Sequence, residues 1–122
     1  MSRVKIENDQ LIITVQGARK FFAFRSEVSI HLDDVVSVTN GLEWKDLPKI
    51  LDKRLGTNAN SFYYGGYFNQ EGRNVFYDLK RKENAVVITV KDENFDRVVI
   101  GVDDCEATVA LIKEALANRK TT

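Results

Sequence analysis

The chain has 122 residues, 18 Lys+Arg against 18 Asp+Glu, a formal net charge of zero, one cysteine and one histidine. That length suits a single domain over residues 1–122, able to bury roughly two thirds of the surface of its extended chain. The charge balance excludes the broad basic field of a nucleic-acid binder, the lone cysteine excludes an internal disulfide or a cysteine-rich zinc site, and the lone histidine excludes a two-histidine metal or catalytic centre.

Alternation of apolar and polar residues dominates the pattern. In residues 10–16, Leu11, Ile13 and Val15 share one face; in 26–32, Val28, Ile30 and Leu32 oppose Glu27, Ser29 and His31; in 35–40, Val36 and Val38 oppose Ser37 and Thr39. Val4 and Ile6 suggest a short leading strand. Residues 17–24 combine β-rich side chains with helical spacing at Ala18, Phe21 and Phe22, which predicts a short helix or bulged turn. The longest connection, 41–60, holds the only tryptophan, Trp44, the only proline, Pro48, and a helical spacing of Leu47, Ile50, Leu51 and Leu55 with a short helix expected around 49–55.

A second group of strands follows. Residues 61–69 and 73–81 flank Gln70, Glu71 and Gly72, a hairpin loop with glycine expected at a positive φ. Residues 85–91 and 97–102 are the next two strands, and Gly65-Gly66 predicts a bend or bulge inside the first of this group. The chain closes on a helix. Asp104 is its expected N-cap, Glu106 sits near the positive end of its dipole, and Val109, Ile112 and Leu116 form an apolar stripe that Leu111 and Ala115 widen. These elements predict a mainly β domain: seven antiparallel strands in a barrel, capped by one amphipathic C-terminal helix that covers an open end.

In this arrangement the chain resembles the pleckstrin-homology (PH) superfold, in particular the PH-like domains of small bacterial proteins, from about Gln10 to Asn118. The likeness is most specific in Tyr64-Gly65-Gly66-Tyr67-Phe68 leading into Arg73-Asn74-Val75-Phe76-Tyr77, then Ala85-Val86-Val87-Ile88, Phe95-Asp96-Arg97-Val98-Val99-Ile100 and Val102-Asp103-Asp104-Cys105-Glu106-Ala107. Members of that family often carry proline where Cys105 stands. The resemblance implies a fold and a tendency to form homo-oligomers, and it brings no catalytic motif with it.

The basic residues around the first hairpin, Arg19, Lys20 and Arg25, occupy the segment that binds inositol phosphates in eukaryotic PH domains, but without the usual dense basic spacing. Read against ordinary solvated charges, they are the only candidates for an anionic headgroup. His31 beside Asp33 and Asp34 has the composition of a general base but no visible nucleophile or pocket. Cys105 near a helix start is a candidate reactive thiol, opposed by Asp103, Asp104 and Glu106. The paired carboxylates lack the offsets of a calcium loop, and no phosphate loop or dinucleotide fingerprint is present. Aromatic residues of the 61–77 region are first of all core, with Tyr63 and Tyr67 flanking Gly65 as a candidate contact surface. Trp44 and Leu47 are candidate interface residues or parts of a flap on the barrel.

No apolar run reaches the ~18 residues of a membrane span, and the start lacks the apolar segment of a signal peptide. The resulting expectation is a cytoplasmic interaction module without catalytic residues, metal or cofactor. It is expected to self-associate or bind a protein partner, with peripheral membrane contact disfavoured. The alternative is a binding module for an anionic headgroup or small apolar ligand.

Overall fold

Strand β1 (Ser2–Glu7) and strand β2 (Gln10–Val15) form a hairpin closed by the pair Glu7↔Gln10. Its two turn residues, Asn8 and Asp9, lie at φ +52° and +63°. Two successive left-handed residues make the type I′ turn, whose twist matches that of the flanking strands. Strand β3 (Glu27–His31) adds to β2 and completes a three-stranded antiparallel sheet in the order β1-β2-β3. The alternation expected from the sequence holds: Leu11, Ile13, Val15, Val28 and Ile30 are buried, while Glu27, Ser29 and His31 face outward. In this computed structural model, residues 2–15, 27–41, 53–59, 63–80, 84–91 and 95–120 are described, with the backbone alone for 53–59, 63, 119 and 120. The turn or helix expected over 17–24 and most of the connection expected over 41–60 lie outside the described residues.

A 3₁₀ turn, Leu32–Asp34, carries the chain from β3 into β4 (Val35–Asn40). Strands β5 (Lys53–Ala59), β6 (Tyr63–Gln70), β7 (Arg73–Lys80), β8 (Asn84–Val90) and β9 (Arg97–Val102) join β4 in a six-stranded sheet ordered β4-β8-β9-β7-β6-β5. Among the described residues the strands number nine rather than seven, and they form two sheets that are not closed into one barrel. The expected leading strand accounts for one of the additional strands, and β5 accounts for the other. Its first three residues, 53–55, fall in the stretch for which the sequence predicts a helix.

The sheet is not purely antiparallel either. β9 runs parallel to β7 from Val75↔Arg97 to Asp78↔Ile100, and antiparallel to β8. Only residues 81–83 separate β7 from β8, yet β9 is inserted between them. The Asp96 N–H donates to the Asn74 carbonyl at 2.7 Å, and the Asn74 N–H donates to Asp96 Oδ2 at 3.0 Å, which aligns the starts of β7 and β9. The β6–β7 hairpin closes at Gln70↔Arg73 with a two-residue turn. Gly72 has the expected positive φ, +83°, and Glu71 also lies in the left-handed region at +54°. Gly66 lies at φ +104°, and the ladder to β7 runs through it without a shift, so the glycine pair forms no bulge against β7.

The main core lies between the two sheets. It joins Leu11, Ile13, Val28 and Ile30 of the smaller sheet to Phe76, Val86, Ile88, Val98 and Ile100 of the larger one. A second cluster of Tyr64, Phe68, Val75, Tyr77, Leu79, Ala85 and Val99 fills the opposite face of the larger sheet. Consecutive residues of β7 and β9 thus point into two different cores, as in sheets covered on both sides. Ser2 ties the sheets together: its hydroxyl donates to Asp78 Oδ2 on β7 at 2.5 Å, and both residues are buried.

Helix α1 (Cys105–Lys120) closes one side of the core, against β4, β8, β9 and β1. Asp104 caps it as expected, accepting from the Ala107 N–H at 3.0 Å. Ile112 is fully buried, with Val109, Ala115 and Leu116 partly buried around it. Leu111 departs from the expected stripe and is 41% exposed. One residue is a rotation of about 100° on a helix, enough to turn Leu111 out of the core that Ile112 enters.

Candidate functional site

Of the residues singled out by sequence, Arg19, Lys20, Arg25, Trp44 and Leu47 lie outside the described residues. The backbone of Tyr63 pairs Ala59 on one side and Lys80 on the other. Tyr67 is half-buried, edge-on to Phe76 at 5.4 Å between ring centroids and stacked near Phe95 at 6.3 Å. Gly65, between the two tyrosines, is buried and pairs with Asp78. The aromatic hairpin divides as its alternation predicts. Tyr64, Phe68 and Tyr77 form one set of ring contacts in the outer cluster, and Tyr67 and Phe76 meet on the inner face. Such edge-on pairs add about 0.5–1.5 kcal/mol each beyond burial.

Both tyrosines of the expected contact surface belong to β6, the strand next to β5. Among the described residues β5 has a neighbour on one side only, which makes it an edge of the six-stranded sheet. It begins with Lys53 and Arg54, where its register with β6 shifts, and continues as Leu55-Gly56-Thr57-Asn58-Ala59 without a further charge. An edge of this kind presents backbone N–H and C=O groups that a further strand can pair. The other edge, β4, is interrupted by a register shift between Val35 and Ser37 that leaves Val36 53% exposed, and α1 lies against it.

A second candidate surface is a cleft of about 460 Å³ between α1 and the β1–β2 hairpin. Its apolar lining is Ile6, Leu32, Leu111 and Ala115, and its polar lining is Asp9, Glu114 and Asn118. Three different elements build it. The β1–β2 hairpin supplies Ile6 and Asp9, the 3₁₀ turn supplies Leu32, and the helix supplies Leu111, Glu114, Ala115 and Asn118, with the Leu32 N–H donating to the Asp9 carbonyl at 2.9 Å to hold the first two together. This cleft was hidden in the sequence because Leu111 fits the core stripe of the helix as readily as its rim.

His31 serves the same corner from outside. Its Nδ1 accepts the Asp33 N–H at 3.3 Å, capping the 3₁₀ turn, and lies 3.4 Å from Asp33 Oδ2. The neutral ring suits the first contact and the protonated ring the second. The ring is 45% exposed and does not line the cleft, which is not the setting an acid–base pair requires.

Cys105 anchors the start of α1: its Sγ donates to the Ala85 carbonyl at 3.1 Å. Burial, foremost, pushes its thiol above the ordinary 9.0; Asp104 and Glu106 push the same way, and the backbone of Gly41 opposes them. The thiol therefore stays protonated at neutral pH, the opposite of a reactive cysteine. No group of three or more His, Cys, Asp or Glu is placed to hold a metal among the described residues, and no helix there is long and apolar enough to cross a membrane. Comparison of the chain with protein-family models, with curated proteins and with solved structures found no match.

Proposed function

We propose that the chain is a non-enzymatic, cytoplasmic interaction module of PH-like type that associates with further copies of itself through the open edge of its six-stranded sheet. The observation that carries this reading is β5: an edge strand, uncharged after Arg54, backed by the tyrosine-bearing strand β6. Strand addition at such an edge gains main-chain hydrogen bonds. The PH-like part of the reading is supported by the C-terminal helix packed against strands of both sheets. The parallel β7–β9 pair is a departure from the all-antiparallel pattern that the resemblance implied.

Light scattering tests the reading directly. The wild-type chain is expected to give a mass above 13.9 kDa at micromolar concentration. Thr57→Lys, which places a charge in the middle of β5, is expected to move the mass toward that of one chain, because edge charges oppose strand addition.

A further inference from the structure

We infer that Asn40-Gly41 is a site of spontaneous deamidation that the fold holds closed, and that it reacts when the end of β4 leaves β8. The site is separate from the β5 edge and goes beyond the association proposed there. Among the asparagines of the chain, Asn40 is the one followed by glycine. Asparagine is a thermolabile residue, and most so before glycine, which has no side chain to hinder attack by its own amide nitrogen. The fold accounts for that glycine. Gly41 lies at φ +88°, where a side chain is strained, whereas a Cβ there would meet nothing within 4 Å. Backbone conformation, not crowding, therefore calls for glycine, and the lability comes with it.

The reaction needs water alone. The Gly41 amide nitrogen gives up its proton to hydroxide and attacks Asn40 Cγ. A bond forms between that nitrogen and Cγ, the bond from Cγ to the side-chain nitrogen breaks, and ammonia leaves with a proton taken from water. A second water then opens the cyclic imide at either carbonyl, which yields aspartate or an isoaspartyl link.

Two contacts oppose the first step. The Gly41 N–H donates to the Ala85 carbonyl at 2.9 Å, so the proton that must leave is held. Ring closure also requires the backbone at Asn40 to rotate, and Asn40 is fixed as the last residue of β4 by its pairing with Val86. The start of α1 bears on the same point, because Cys105 Sγ donates to that Ala85 carbonyl at 3.1 Å. Asn40 and Gly41 are both exposed, so water reaches them, and pairing rather than burial is what restrains the reaction. An isoaspartyl link adds a methylene to the chain just before the N–H that Ala85 holds. Each opening that ends in reaction thus leaves a permanent mark at the end of β4.

The test follows the full chain in mildly alkaline buffer, native and in urea at the same pH, by peptide mass mapping. Hydrogen exchange of the Gly41 amide is measured on the native chain. In urea, Asn40 is expected to be the fastest-reacting asparagine. In the native chain it is expected to react at least about tenfold more slowly, by a factor no smaller than the exchange protection of the Gly41 amide, since both reactions need that N–H released. Asn40→Gln is expected to remove the product in both conditions. A native rate equal to the unfolded one, a fastest site other than Asn40 in urea, or a Gly41 amide that exchanges as in the unfolded chain would each overturn the inference. None of these outcomes alters the light-scattering result for the β5 edge, so the two readings fail separately.

Discussion

The two sheets use their residues differently. In the three-stranded sheet one face is buried and the other is not, so β3 alternates between core and solvent and β2 between core and half-buried positions. In the middle of the six-stranded sheet both faces are buried: five successive residues of β7, from Val75 to Leu79, and five of β9, from Val98 to Val102, are inside. The difference teaches how to read a run of apolar residues. Alternation marks a strand at the surface of a domain, whereas an unbroken run such as Val98-Val99-Ile100 marks one covered on both sides.

Neighbouring substitutions offer the sharpest way to break this comparison. Phe76 and Tyr77 lie on opposite faces of β7, and both are inside, so Phe76→Ala and Tyr77→Ala should each cost about 3–5 kcal/mol in urea unfolding. On β2 the same test should be lopsided. Ile13→Ala should cost about 2–5 kcal/mol and the half-buried Ile12→Ala clearly less. A Tyr77→Ala cost below that of Ile12→Ala would contradict the two-faced burial of β7.

The next effect concerns the link between the sheets. Ser2→Ala removes the hydroxyl that donates to the wholly buried Asp78, and should cost about 1–3 kcal/mol. Ser29→Ala, on the wet face of β3, should stay within about 0.5 kcal/mol. Removing the helix cap with Asp104→Ala should cost about 1 kcal/mol, read as a lower midpoint in the same denaturation.

Much of the fold was legible in these terms. Period-two alternation located β2, β3 and β4, the glycine of the hairpin located the β6–β7 turn, and Asp104 located the start of α1. What was not legible depends on tertiary pairing. Lys53-Arg54-Leu55-Gly56-Thr57-Asn58-Ala59 has little strand character of its own, and Leu55 continues a helical spacing from Leu47; the segment is a strand because β6 pairs with it. The parallel pair was obscured by the short connection between β7 and β8, which reads as a hairpin although β9 lies between them. The cleft was obscured at one residue, Leu111, which hydrophobicity alone assigns to the core.

Two smaller effects sharpen the account at its turns and at Cys105. Glu71 holds a left-handed conformation that side chains other than glycine, asparagine and aspartate disfavour, so Glu71→Asn should stabilise the β6–β7 hairpin by about 0.5–1 kcal/mol. The raised pKa of Cys105 means that the unfolded chain loses the thiol proton first. Its contribution is therefore level below pH 9.0, and stability should fall as pH rises past that value. Cys105→Ala should remove that part of the alkaline slope.

The central claim is association through the edge of the six-stranded sheet, and light scattering of the wild-type chain at micromolar concentration tests it most directly. The account predicts a mass above 13.9 kDa that Thr57→Lys lowers toward one chain. A wild-type mass of 13.9 kDa throughout that concentration range would contradict it.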